Sequence, residues 1–202
     1  SMQYDLDALL CRVEKPARYT GSEMNATTKT PEDAEVSFAF CFPDTYEVAM
    51  SHLGMKILYG ILNDLPYAVC ERGCMPWVDM LKEMREQQVP LLSLESKTPL
   101  NQFDLVGFTL QYEMSYTNIL EMLDLGGIPV LCEERRESDP FVVAGGPCAF
   151  NPEPLCPFID AFMIGDGEQS IIDVTNTVME GRKAGLSRGE ILRKLAGLRG
   201  VY

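Results

Sequence analysis

From Val36 to Pro43 the chain reads VSFAFCFP, an apolar run bounded by polar turns. A short run of that kind predicts a strand buried on both faces. Asp44, with Glu47 three residues on, has the spacing of a capping box. Leu53, Ile57, Leu58, Ile61 and Leu62 then repeat at helical spacing as far as Asn63. Tyr67 to Glu71 predicts a second strand. Pro76 suits the first position of a helix running to Gln87, with Trp77, Leu81 and Met84 on one face. PLLSLES (Pro90 to Ser96) reads as extended, and DLVGFTLQ (Asp104 to Gln111) as a buried strand. Ser115 is placed to cap the helix YTNILEMLDL, which Gly126-Gly127 ends. IPVL (Ile128 to Leu131), PFVVAGGP (Pro140 to Pro147) and AFMIG (Ala161 to Gly165) are three further expected strands. Helices from Gln169 to Glu180 and over SRGEILRKLAGL (Ser187 to Leu198) complete the pattern.

Strands that alternate with helices predict right-handed βαβ units. The expected fold is therefore α/β, a doubly wound, mostly parallel sheet with helices on both faces and the first strand at its centre. Residues 1–33 are expected to form an N-terminal arm and residues 34–202 a Rossmann-like domain with C-terminal helices. In the arm, Pro16 and Gly21 exclude a continuous helix.

Composition narrows the function. The chain has 202 residues, 46% of them hydrophobic, and a formal net charge of −13. So acidic a chain is not expected to bind a nucleic-acid backbone directly, since phosphate contacts require Lys and Arg. No run of some 18 apolar residues predicts a membrane span, and the expected compartment is the cytoplasm. Seven cysteines without an export signal read as free thiols. Cys70 and Cys74 have the first spacing of a C-x3-C-x2-C cluster site, but the third position holds Trp77, which cannot ligate iron.

In a sheet of this type ligands sit outside the carboxyl ends of the strands. The unusual residues of this sequence fall there: Pro43-Asp44, Gln111-Tyr112-Glu113, Gly145-Gly146-Pro147 and Gly165-Asp166-Gly167-Glu168. Any one glycine corner is explained by a tight strand-to-helix turn. Four such loops on one edge point to a ligand cleft. A receiver domain is disfavoured because no Lys follows a later strand to match Asp44. A flavodoxin is disfavoured because FPDTYEV is not a Ser/Thr-rich phosphate loop.

VGFTLQYE, VVAGGPCAFNPEPL and IDAFMIGDGE resemble the cobalamin-binding-type N-terminal domain of radical S-adenosylmethionine (SAM) proteins. KPARYTGSEMN and YEVAMSHLGMKILY resemble one subfamily of these, and the likeness runs from about Lys15 to Tyr202. Its pattern D-x-x-x-x-G-E-G-E is met by Asp160, Gly165, Gly167 and Glu168, with Asp166 in place of a Glu. The resemblance implies a flavodoxin-like fold. It also implies a role in presenting a cofactor or substrate to a radical iron–sulfur enzyme. The alternative is a non-catalytic docking or substrate-binding domain that keeps the fold and has lost cobalamin. The resemblance places the loop of Gly145, Gly146 and Pro147 against the cofactor's nucleotide tail, and Thr109 and Gln111 within reach of a tail or corrin amide. Gly165, Gly167 and Glu168 form the neighbouring loop, where Glu168 equally suits the start of a helix. The [4Fe–4S] cluster and SAM are expected on a separate barrel, the implied partner of this domain. LAGLRGVY resembles the joint before that barrel, so the chain is expected to be a fragment, not catalytic alone.

His52, the single histidine of the chain, tests the cobalamin expectation. Cobalt-ligating domains use D-x-H-x-x-G, in which the Asp orients the imidazole. Around His52 those positions hold Met50 and Met55, so His52 is expected not to bind cobalt. Neither the substrate nor the oligomeric state is legible.

Overall fold

A computed structural model describes residues 29–42, 53–76, 78–110, 115–146, 153–164 and 168–202. Its strands are β1 (Val36–Phe42), β2 (Ala68–Cys74), β3 (Leu105–Thr109), β4 (Phe141–Gly146) and β5 (Ala161–Ile164). Its helices are α1 (Leu53–Asp64), α2 (Val78–Gln87), α3 (Ser115–Leu125), α4 (Glu168–Lys183) and α5 (Arg188–Ala196). All five strands pair in parallel, in the order β2-β1-β3-β4-β5. This is the doubly wound, flavodoxin-like order. The expected position of β1 needs correction: it is interior, between β2 and β3, and β3 takes the centre.

Successive side chains of a strand point to opposite faces, and β1 shows the consequence. Val36, Phe38, Phe40 and Phe42 enter one apolar cluster with Tyr59 and Leu62 of α1, Ile171, Val174 and Val178 of α4, and Ile191 and Leu195 of α5. Ala39 and Cys41 enter the other, with Met84 of α2 and Ile119, Met122 and Leu123 of α3. The unbroken apolar run of the sequence is thus one strand serving two cores. The Phe38 and Phe40 rings stack at 5.9 Å, and Gly107 on β3 makes room for them: a Cβ there would stand 2.6 Å from Phe38 Cε1.

Both sheet edges are covered, as edge strands with free backbone groups invite mispairing. Along β2, the Asn63 side-chain amide accepts from Cys70 N (2.8 Å) and donates to Cys70 O (3.1 Å). Two residues on, the Glu95 carboxylate accepts from Arg72 N (2.8 Å) and Leu94 N donates to Arg72 O (2.7 Å). PLLSLES is therefore less an extended segment than a turn laid along β2, bridged at Leu92 and Pro99. Buried Glu71 holds this turn by accepting from Ser93 Oγ and Ser96 Oγ, both at 2.6 Å. Along β5, residues 200–202 pair antiparallel with the strand.

IPVL was expected as a strand and is not one. Gly127 takes φ +75°, and Ile128 N donates back to Leu123 O at 2.9 Å, closing α3. The Arg135 guanidinium then donates to Pro129 O and Val130 O, groups a strand would need for its ladder. The helix before it is ended by glycine as expected. The capping-box pair Asp44 and Glu47 lies outside the described residues, and Ser115 is itself the first residue of α3. Lys29 Nζ donates to the carbonyls of Asn63 in the last turn of α1, of Leu65 just after it and of Ala68 at the start of β2, so a basic side chain meets the helix's carboxyl end.

Candidate functional site

In an open parallel sheet the crevice opens at the carboxyl ends of the strands, where the strand order reverses. Here the reversal lies between β1 and β3. That edge is built by Phe42, Cys74, Thr109, Gly146 and Ile164, the last residues of the five strands. Of the residues expected there, Thr109, Gly145, Gly146 and Glu168 are described. Gln111, Pro147, Gly165 and Gly167 lie outside the described residues, as do His52, Asp44, Asp166 and Trp77.

The register brings three of the four together. Thr109 of β3 pairs with Gly145 of β4, Gly145 with Met163 of β5, and Gly146 with Ile164. Thr109, Gly145 and Gly146 are all part-exposed, unlike the buried strand interiors below them. Glu168 stands apart as the exposed first residue of α4, where a carboxylate favours the helix dipole.

Gly145 differs from the glycines that the fold requires. A Cβ at Gly107 would collide with the Phe38 ring, and one at Gly181 would lie 2.6 Å from Ile191 Cγ1. A Cβ at Gly145 would meet only Met163 O at 3.7 Å and Met163 Cε at 3.8 Å, ordinary contacts, and its φ is not left-handed. Among the described residues, neither packing nor backbone conformation calls for glycine there. Its missing side chain leaves the β4 backbone beside Thr109 without a Cβ to hold a ligand off it.

Cys70 and Cys74 sit on one strand. Four residues of extended chain separate them by about 13 Å, too far for both to hold one cluster. Burial pushes the Cys41 and Cys70 thiols well above the usual range, so they persist as thiols at neutral pH. Among the described residues no three His, Cys, Asp or Glu side chains are grouped so as to hold a metal ion. These residues do not fit an iron–sulfur cluster.

Asp160 belongs to the opposite edge. It immediately precedes β5, its side chain is 1% exposed, and Oδ2 accepts from Arg188 Nη2 (2.8 Å), Arg135 Nη1 (3.0 Å) and Val142 N (2.8 Å). Asp104 repeats the arrangement one residue before β3: Oδ2 accepts from Ser37 N at 2.8 Å and Oδ1 from Arg182 Nη1 at 2.7 Å. Arg182 and Arg188 also lie over the Phe141 ring, their guanidinium carbons 5.4 and 4.3 Å from its centroid. Burial lowers the pKa of Arg188, partly countered by Asp160. Asp160 is thus a clamp at the amino edge, even though its motif continues to the carboxyl edge. Sequence reasoning missed this clamp. It also missed the buried pair Arg72–Glu95, whose Nε and Oε1 lie 2.6 Å apart. The available signals were an Asp one residue before an apolar strand, and a charged Glu-Arg pair inside AVCERGC.

No helix among the described residues is long and apolar enough to cross a membrane. No solved structure matches the chain. The uncharacterized protein MJ0966 of Methanocaldococcus jannaschii is 32% identical over 93 residues, which cover 45% of this chain and 19% of that relative. Residues 54–202 match the family described as radical SAM proteins, N-terminal. In such proteins the [4Fe–4S] cluster and SAM belong to the catalytic domain, in keeping with the poor fit of Cys70 and Cys74 to a cluster. The match spans α1 to the last residue and takes in four of the five strands, and the chain belongs to this family of radical SAM N-terminal domains.

Proposed function

We propose that this domain presents a cofactor or substrate, at the carboxyl edge of its sheet, to the catalytic domain of a radical SAM enzyme, with cobalamin the cofactor candidate. The observation that supports it is Gly145: a glycine that neither packing nor backbone strain demands, next to Thr109, beside the edge where such sheets bind ligands. In this reading Gly145 and Gly146 let the nucleotide tail approach the backbone, and the Thr109 hydroxyl meets a polar group of the tail. Gln111, Pro147, Gly165, Gly167 and Glu168 are the further candidates for contact with the cofactor. Bound cobalamin supplies radical or group-transfer chemistry at its cobalt. The domain itself contributes binding, orientation and exclusion of water. It works in the cytoplasm with its catalytic barrel as partner, and its charge of −13 disfavours direct nucleic-acid contact.

A second reading, a docking or substrate-binding domain without cobalamin, is favoured by the setting of His52. The Asp that would orient it is replaced by Met50. Titration with hydroxocobalamin, followed by visible absorbance, separates the two. It is run on this chain and on the protein joined to its catalytic domain. The first reading expects binding that His52→Ala leaves within a small factor and that Gly146→Leu weakens. No binding by either wild-type protein leaves the docking reading. A cobalt spectrum that changes in His52→Ala shows ligation by that histidine.

A further inference from the structure

A short turn lays α5 alongside α4. Gly185 takes φ +72°, and Leu186 N donates to Gly181 O at 2.9 Å, which ends α4. Ser187 then caps α5: its side chain accepts from Glu190 N, and the Glu190 side chain accepts from Ser187 N. Val178 of α4 and Ile191 and Leu195 of α5 enter one apolar cluster, which holds the two helices together. Outside that contact the pair leaves a groove of about 470 Å³. It is lined by Gly181, Ala184 and Leu198, by Arg193 and Lys194 of α5, and by Glu180 of α4.

The charge of this region is opposite to that of the rest. Residues 181–202 hold six of the 17 cations and one of the 30 carboxylates, so they carry +5 while residues 1–180 carry −18. Three of the six cations are used inside the fold: Arg182 meets Asp104, Lys183 meets Glu35, and Arg188 meets Asp160. Arg193, Lys194 and Arg199 are exposed and have no carboxylate partner among the described residues. The last turn of α5 is a favourable place for Arg193 and Lys194 on account of the helix dipole. That role alone would not set them on a groove with apolar lining. An acidic partner is repelled by most of this chain and attracted here, which is how charge fixes where a partner docks.

We propose that the α4–α5 groove is a docking surface for the catalytic domain, which meets it with a segment carrying carboxylates beside an apolar side chain. The choice of that partner rests on the function proposed above. The family is an N-terminal one, and its match runs to residue 202, four residues beyond Leu198 of the groove. A domain that follows is tethered beside this surface, and a short tether raises its local concentration to roughly millimolar. A small interface then suffices. Carboxylates of the segment pair with Arg193 and Lys194, and its apolar side chain covers Ala184 and Leu198.

Hydrogen exchange with mass spectrometry tests this on the 202-residue chain and on the protein joined to its catalytic domain. No cofactor is used, so failure to bind cobalamin does not bear on the result. Peptides covering Thr177–Leu198 are expected to exchange about fivefold slower or more in the joined protein. Arg193→Gln with Lys194→Gln removes the charge and keeps good helix formers; Ala184→Trp fills the groove and keeps the charge. Each is expected to abolish most of the difference between the two proteins, whereas Lys56→Gln, at an exposed cation of α1, should leave it intact. Salt at about 1 M, where screening acts within about 3 Å, should shrink it. Equal rates in the two wild-type proteins would overturn the proposal, as would a difference that survives both groove variants. Faster exchange of α5 in the 202-residue chain on Arg193→Gln with Lys194→Gln would assign those cations to the helix dipole and overturn it too. So would dimerisation of the 202-residue chain that Ala184→Trp abolishes, which would give the groove to a second copy.

Discussion

A single methyl group placed at Gly145 and, separately, at Gly107 distinguishes a glycine kept for a ligand from one kept for the core. At Gly107 the new Cβ would lie 2.6 and 2.7 Å from Phe38 Cε1 and Cζ and 3.4 Å from Val143 Cγ2. The ring has little room to retreat: Phe38 is 1% exposed and stacked on Phe40. Overpacking of this kind costs about 1–3 kcal/mol. The smaller conformational freedom of Ala in the unfolded chain returns about 0.4–1 kcal/mol. Gly107→Ala should therefore lose roughly 1–2 kcal/mol. At Gly145 no contact with a described residue is closer than 3.7 Å, so only the unfolded-state gain remains, and Gly145→Ala should be about 0.4–1 kcal/mol more stable than wild type. With a urea slope of about 2 kcal/mol/M, the two midpoints should differ by about 1 M. Urea unfolding followed by far-ultraviolet circular dichroism measures the difference. If Gly145→Ala loses as much as Gly107→Ala, the fold itself needs that glycine, and it is not kept for a ligand.

Three further perturbations reach other parts of the molecule. Asp160→Asn leaves Arg135 and Arg188 buried without their carboxylate and should cost about 3–5 kcal/mol, read as a lowered unfolding temperature; a loss under 1 kcal/mol would show the clamp to be dispensable. Native-state alkylation with peptide mapping should modify exposed Cys156 quickly and leave buried Cys41, Cys70 and Cys74 untouched until the chain unfolds. Glu95 is held above its ordinary pKa by burial, against the opposing pull of Arg72. The folded state therefore keeps this proton more tightly than the unfolded one, so its contribution is full below the unfolded pKa and is lost as pH rises through the folded value. Glu95→Gln should flatten that part of the stability–pH curve, and a curve parallel to wild type from pH 4 upward would count against it.

For the strands of the sheet, the sequence alone settled which segments must be buried and in what secondary structure. VSFAFCFP, VGFT and FVVA are apolar on both faces, and only a strand covered on both sides satisfies them, so a parallel sheet between helices was legible. Thr109, Gly145 and Gly146 were expected at one edge, and the strands that end with them put them there. The lateral order of the strands was not legible. A run that demands burial is equally satisfied by several neighbours, and pairing between β1 and β3, some seventy residues apart, is decided by the packing of the whole sheet. The role of Asp160 was hidden for the same reason. Its motif is contiguous in sequence, yet β5 carries its two ends to opposite edges, and the arginines that hold it come from residues 135 and 188. IPVL shows the converse: its local pattern favours a strand, but a guanidinium takes the carbonyls the ladder would need. Hydrophobic pattern is a local property of the chain. Which polar group satisfies which, and which glycine has space above it, exists only once distant segments have met.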